Sequence, residues 1–321
     1  MLKRSLLKIT IPLLLVFVSW AQADTSFSRV YVFGDSLSDT GNFGTFVGGL
    51  PFPFFENRIS NGPVAVDVLA ARLGHTADAS LHVLMLNAGS NYAVAGANAI
   101  GNEAQDLSNQ ILGFQFNHGF IAPPDALYVV FIGGNDIRSA RSVASFKQAK
   151  LIVQAAANEV RQAIETLAQA GAHTFLLVNA PNVGAIPETR IIADAIDDPK
   201  LVKRTRKLSN LYRKELHKIA EDLGDDDDSD DEYYNGDENE LNIVEFDLFK
   251  FFNKLLKKAD KLGFTNATDP CFSRQTFSFH PDCNFGANFD QFIFFDEIHP
   301  TARAHALAGE ALFEALQDDD D

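Results

Sequence analysis

A serine that is to attack an ester needs a base for its proton, an acid to orient that base, and N–H donors for the charge that forms on the carbonyl oxygen. Ser36 lies in V-Y-V-F-G-D-S-L-S-D-T-G-N, residues 30–42. Val30, Tyr31, Val32 and Phe33 are β-branched or aromatic, as a buried strand requires, and Gly34 breaks the run. Ser36 therefore falls just past a strand's carboxyl end, the edge of an open α/β sheet where ligands bind. Far along the chain, Asp296-Glu297-Ile298-His299 offers D-x-x-H. That spacing lets Asp296 accept from one imidazole nitrogen while the other faces Ser36, and an imidazole titrates near neutrality. D-x-x-H alone equally fits a surface Asp–His pair. Asp35 and Asp39 read as local backbone hydrogen-bonders, Asp136 reads as structural, and the other histidines, His82 and His305 among them, read as structural because no motif surrounds them.

The elements that must position these residues alternate. Strands are expected at 30–33, 81–86, 126–132, 174–178 and 241–246, and helices at 64–73, 104–113, 145–170, 199–223, 247–262 and 302–316. The run A-L-Y-V-V-F-I at 126–132 is the clearest buried strand, and it ends in Gly133-Gly134-Asn135-Asp136. In 145–170 the apolar positions recur at helical spacing and Gly171 stops the run. Strand–helix alternation means βαβ units and a parallel sheet covered on both faces. No repeat or linker divides the chain, so residues 24–321 are read as one domain interrupted by an acidic loop at 225–240.

The first residues, M-L-K-R-S-L-L-K, an apolar run from Ile9 to Trp20 and Ala21-Gln22-Ala23 together read as a secretory signal peptide, 1–23. The run is too short for an anchor and Pro12 interrupts it. No later stretch has the length and apolarity of a membrane span. The expected location is secreted or periplasmic. Lys and Arg number 27 against 43 Asp and Glu, a formal charge of −16 that disfavours nucleic acid and anionic surfaces. Cys271 and Cys283 are the 2 cysteines; in an exported chain two close cysteines are expected to pair. A metal site there lacks ligands, His280 being the nearby histidine, and no metal or cofactor is expected.

Four segments, F-G-D-S-L-S-D at 33–39, N-Y-A-V-A-G-A at 91–97, G-G-N-D at 133–136 and D-E-I-H at 296–299, resemble in order the four blocks of the GDSL, or SGNH, hydrolases. The resemblance spans nearly the whole chain after the leader. It implies a flavodoxin-like three-layer α/β/α sandwich with a mainly parallel sheet, and ester hydrolysis with Ser36 as nucleophile, His299 as base and Asp296 as orienting acid. It further implies an oxyanion hole from the Ser36 and Gly96 N–H groups and the Asn135 amide. Ala95 departs from relatives that carry a second glycine there. The long form of the first block and the cysteine-bounded loop before the last resemble the secreted phospholipase, lysophospholipase and glycerophospholipid–cholesterol acyltransferase branch. That branch implies a lipid ester substrate, a sterol as an acyl acceptor besides water, and transient contact with a membrane surface. Phe43, Phe46, Phe52, Phe54 and Phe55, with a second phenylalanine cluster at 277–295, supply loop aromatics able to line an acyl groove. Two rival readings are a short-chain or carbohydrate esterase on the same residues and a non-catalytic secreted binding protein.

Overall fold

A computed structural model describes residues 27–224 and 241–318; the expected leader and the acidic run at 225–240 lie outside the described residues. The central sheet has strands β1 (Val30–Gly34), β2 (Leu127–Phe131), β3 (Thr174–Val178) and β4 (Asn242–Phe246), adjacent in that order and all parallel. β1 and β2 are buried along their whole length, which explains why both read as unbroken apolar runs. Beyond β1 the sheet continues in isolated parallel rungs, the first Val32 with Asn91 and the next Asn91 with Ala79. Val32 N donates to Ser90 O at 3.1 Å, Tyr92 N to Val32 O at 2.7 Å and Val94 N to Gly34 O at 3.1 Å. Counted with those rungs, the chain leaves β1 towards one side of the sheet and returns on the other. The crevice this reversal creates lies at the carboxyl ends of β1 and β2.

Side chains alternate between two helical layers. Val30, Val32, Val129, Phe131, Leu176 and Val178 share a core with α2 (Ala65–Arg72) and α9 (Ala302–Asp318). Tyr31, Phe33, Tyr128, Val130, Phe175 and Leu177 share the other with α3 (Leu107–His118), α5 (Phe146–Gln169) and α7 (Leu201–Gly224). Removing one such phenylalanine from water contributes roughly 1.5–3 kcal/mol. The result is a three-layer α/β/α sandwich.

The apolar run at 81–86 is not a strand. It is a 3-10 turn, His82–Leu84, with Leu81 and Met85 in left-handed conformations and Leu84, Met85 and Leu86 exposed. The periodicity of so short a run does not separate a strand from a turn. Three helices went unread: α1 (Asn42–Phe46), α4 (Gly134–Arg141) and α6 (Pro187–Ala195), while α8 (Leu248–Lys257) is shorter than expected.

A small second region follows α8. β5 (Asn266–Pro270) pairs with β8 (Phe292–Phe294), and β6 (Phe272–Ser273) with β7 (Ser278–Phe279). Cys271 and Cys283 are bonded, with Cα atoms 5.4 Å apart, inside an aromatic core of Phe272, Phe289, Phe292 and Phe295. Both phenylalanine clusters meet here: Phe54 stacks edge-on against Phe295 at 5.3 Å and Phe272 at 6.0 Å, and Phe52 lies 5.9 Å from Phe279. Phe294 instead joins the main core beside Phe252.

Candidate active site

The turn after β1 is built around two buried carboxylates. Asp39 accepts from the backbone N–H groups of Gly41 at 2.8 Å, Asn42 at 2.7 Å and Phe43 at 3.0 Å, and from Ala95 at 2.8 Å across the crevice. Burial nevertheless raises its pKa above the ordinary carboxylate value. Asp35 accepts from Leu37 N at 3.0 Å. Burial, with the Asp136 charge adding to it and the Leu37 N–H opposing it, pushes Asp35 up to about 7. Asn91 donates to Ser38 O at 2.7 Å, and Asn42 donates to Asn91 O and Ala93 O at 2.8 and 2.9 Å. Buried Gln110 brackets the end of β1, accepting from Gly34 N at 2.8 Å and donating to Gly34 O at 2.7 Å. The backbone that presents Ser36 is thus held from several sides.

The second part is the turn before α9. Asp296, fully buried, accepts from the backbone N–H groups of Ile298 at 2.8 Å and His299 at 2.7 Å through Oδ1. Phe295 N donates to His299 O at 2.8 Å, closing the turn. Ser60 Oγ donates to Pro300 O at 3.0 Å, and Ala302 N to Asn61 Oδ1 at 2.9 Å, tying it to the approach to α2. Cys271 N and Phe272 N donate to Phe294 O and Phe295 O at 3.0 and 2.8 Å, so the disulfide region is paired to the residues just before Asp296.

These two turns meet. His299 Nε2 lies 2.7 Å from Ser36 Oγ, and His299 Nδ1 lies 2.8 Å from both carboxylate oxygens of Asp296. A carboxylate can only accept, so Nδ1 carries the proton and Nε2 is left as the acceptor for the serine hydroxyl. Burial would raise the Asp296 carboxyl, but the imidazole of His299, its hydrogen bond and the Arg274 guanidinium outweigh it and hold it below the ordinary value. Arg274 Nε stands 3.1 Å from Asp296 Oδ2 and makes no hydrogen bond with it in this orientation.

The expected donors share this crevice edge. Gly96 takes φ +88°, a left-handed conformation that favours glycine, and a β-carbon there would meet nothing within 4 Å. Its N–H and that of Ser36 have no hydrogen-bond partner among the described residues. Asn135 is in the first turn of α4, whose N-terminus Gly133 starts with φ +110° against the ring of Tyr212. Asn135 Nδ2 donates to Ala97 O at 2.8 Å, leaving its second N–H free among the described groups. Asp136 accepts from Ala99 N at 2.8 Å and Ile100 N at 3.0 Å, joining α4 to the loop that carries Gly96. A hydroxyl facing a base, with N–H groups nearby, is equipped for acyl transfer. Among the described residues no group of three or more His, Cys, Asp or Glu is placed to hold a metal ion, and no helix has the length and apolarity to cross a membrane.

Three participants had no motif around them. Gln110 satisfies β1, Arg138 donates to Asn135 Oδ1 at 2.8 Å, and Glu188 grips Arg138. Arg138 follows Asn135 at helical spacing, a signal that becomes readable only once α4 is known. Glu188 comes from another element and left no sequence signal.

Residues 30–312 match the family profile described as GDSL-like Lipase/Acylhydrolase. The chain is 31% identical to Lipase 1 of Photorhabdus luminescens over 51% of its own length and 24% of that protein's. It is 26% identical to the phosphatidylcholine-sterol acyltransferase of Aeromonas hydrophila, over 79% of this chain and 68% of that one. Against the acetylajmalan esterase 2 of Rauvolfia serpentina it is 26% identical over 87% of each. The chain thus spans about a quarter of the length of Lipase 1 and most of the other two. Among solved structures, an α/β hydrolase from the metagenome of Lake Arreo aligns with a TM-score of 0.41 at 14% identity, covering 90% of this chain and 95% of that one.

Proposed function

Since the chain belongs to the GDSL-like lipase and acylhydrolase family, we propose that it is an exported serine esterase acting on lipid esters as a phospholipase A or lysophospholipase, with Ser36, His299 and Asp296 as its catalytic residues. The observation that carries this reading is the unbroken path from Ser36 Oγ through His299 to Asp296, at 2.7 and 2.8 Å. Ser36 Oγ attacks the ester carbonyl carbon while its proton passes to His299 Nε2. The carbonyl oxygen takes the negative charge and rests against the N–H groups of Ser36, Gly96 and Asn135. His299 then returns the proton to the leaving alkoxide, giving an acyl-serine and an alcohol. Water, or a sterol hydroxyl, gives its proton to Nε2 and attacks the acyl carbon; the bond to Ser36 Oγ breaks, Nε2 returns the proton to Oγ, and the fatty acid or sterol ester leaves. Asp296 stays ionised throughout and steadies the imidazolium.

The lipid assignment is supported by aromatic rings at the surface. Phe52, Phe277 and Phe285 are 74%, 69% and 82% exposed, and Phe279 packs against both Phe52 and Phe285. Through Phe272 and Phe295 they continue down to the residue before Asp296. In sequence, exposed Glu56 follows Phe52 and exposed Asp282 falls between Phe277 and Phe285, which suits transient contact with a zwitterionic lipid surface rather than an anionic one. The disulfide fits an exported chain. Similarity to an acetylajmalan esterase over most of both chains favours a second reading, an esterase of small acyl groups.

The test is free fatty acid release from lysophosphatidylcholine by purified protein, beside an acyl-length series of aryl esters. Release of long-chain acid is expected. Turnover of acetyl esters with none from the lysophospholipid would replace the lipid reading with the second. Absence of fluorophosphonate labelling at Ser36 would remove both.

A further inference from the structure

We infer that Arg138 and Glu188 form a positioning pair that fixes the donating face of Asn135 and links it to the turn bearing His299. The inference rests on the reading of Asn135 as an oxyanion donor. An asparagine amide is nearly symmetric in shape, and a half-turn exchanges a donor for an acceptor. If Oδ1 faced the reacting oxygen, it would repel the charge it should stabilise. Two neighbours remove that freedom. Arg138 Nη1 can only donate, and it meets Oδ1 at 2.8 Å; Ala97 O can only accept, and it meets Nδ2 at 2.8 Å. The amide is pinned with one N–H left for the site.

Arg138 is itself fixed. Its Nε and Nη2 reach Glu188 Oε2 and Oε1 at 2.8 and 2.5 Å, a two-pronged ion pair whose planarity orients the third nitrogen, Nη1. Buried Arg141 adds a contact to Glu188 Oε2 at 2.9 Å and one to Thr189 Oγ1 at 2.6 Å. Glu188 lies in the first turn of α6, behind Pro187. Its backbone N–H donates to Glu297 O at 2.8 Å, inside the segment between Asp296 and His299. One helix start therefore holds the donor by its side chain and the base's turn by its main chain. Asp35 and Asp296 both contribute to the field at Arg138, which places the guanidinium close to both halves of the site.

The test is a double-mutant cycle on a soluble aryl butyrate, so that binding to lipid does not enter. Arg138→Met is expected to lower kcat by about 10- to 100-fold, the scale of a small misplacement of a reacting group, with KM changed by less than about twofold. Combined with Asn135→Ala it is expected to cost no more than Asn135→Ala alone, because the arginine acts through that amide. Arg138→Lys, which cannot make the fork, is expected to recover part of the loss. Losses that multiply in the double variant, or an unchanged kcat in Arg138→Met while Asn135→Ala is slow, would overturn the pairing alone. An unchanged kcat in Asn135→Ala would overturn the oxyanion reading and the pairing with it. If Arg138→Met shows no cooperative melting, Arg138→Lys and Glu188→Gln carry the same cycle.

Discussion

At the scale of single residues, the roles proposed here differ in what their removal does. Ser36 is buried, and among the described residues its Oγ has one hydrogen-bond partner, His299 Nε2. Ser36→Ala is expected to abolish acyl-enzyme formation while thermal melting stays within about 1 kcal/mol of wild type, since a single hydrogen bond is worth about that much net. Asn135→Ala should retain folding and lose roughly 10²–10³ in kcat, the usual effect of removing one oxyanion donor; steady-state kinetics on an aryl ester checks both. That Ser36, His299 and Asp296 meet was legible because each sits in a short run whose residue types have few other uses together. Asp35 and Asp39 also read as backbone hydrogen-bonders, and their oxygens do accept from Leu37, Gly41, Asn42, Phe43 and Ala95. Arg138 and Glu188 were not legible, since their meaning lies in a contact between two helix starts that are distant in sequence.

At the scale of elements, the sheet was readable because strands buried on both faces are nearly pure runs of Val, Leu, Phe and Tyr. The long helices α5 and α7 were readable because their apolar positions repeat for many turns. What failed was short. The 81–86 run is apolar without being a strand. The sheet's further rungs fall instead on Asn91 and Ala79, one residue at a time, where side chains of Asn42 and Asn91 do the tethering. The disulfide region is joined to the turn bearing His299 through the Phe272 N to Phe295 O hydrogen bond of 2.8 Å. Cys271→Ser with Cys283→Ser is therefore expected to lower both activity and stability, the latter by roughly 3 kcal/mol in the chain-entropy model. Limited proteolysis should cut first within 271–291. Equal activity with and without reductant would show that the turn stands without this support.

At the scale of the whole molecule, protonation couples stability to pH. Burial pushes His82 down to about 4, and burial with the nearby His299 charge pushes His305 down to about 3. Unfolded, both imidazoles take up protons as pH falls below about 6.5. The unfolded chain then binds more protons than the folded one, so stability is lost as pH falls through that window. Each contributes on the order of 2 kcal/mol between pH 6.5 and 5. Asp35, raised to about 7, has the opposite sign: its contribution is present below about pH 4 and is lost as pH rises through 7. Asp39 and Asp136, raised by burial, share the sign of Asp35, and His118, lowered by burial, that of the two histidines. The histidine contribution is therefore read as the difference between wild type and a histidine variant on acidification from about pH 6.5 to 5. The check is a melting series over that range, in which His82→Leu should show a shallower slope than wild type.

The hydrogen bond between Ser36 and His299 spans 263 positions of chain. No fragment that stops short of the final turn holds both groups, however well its sheet has formed. While the polypeptide is still being made, Ser36 lacks the imidazole that faces it in the folded chain. The pair is complete only once the turn before α9 has been made and has docked against the end of β1.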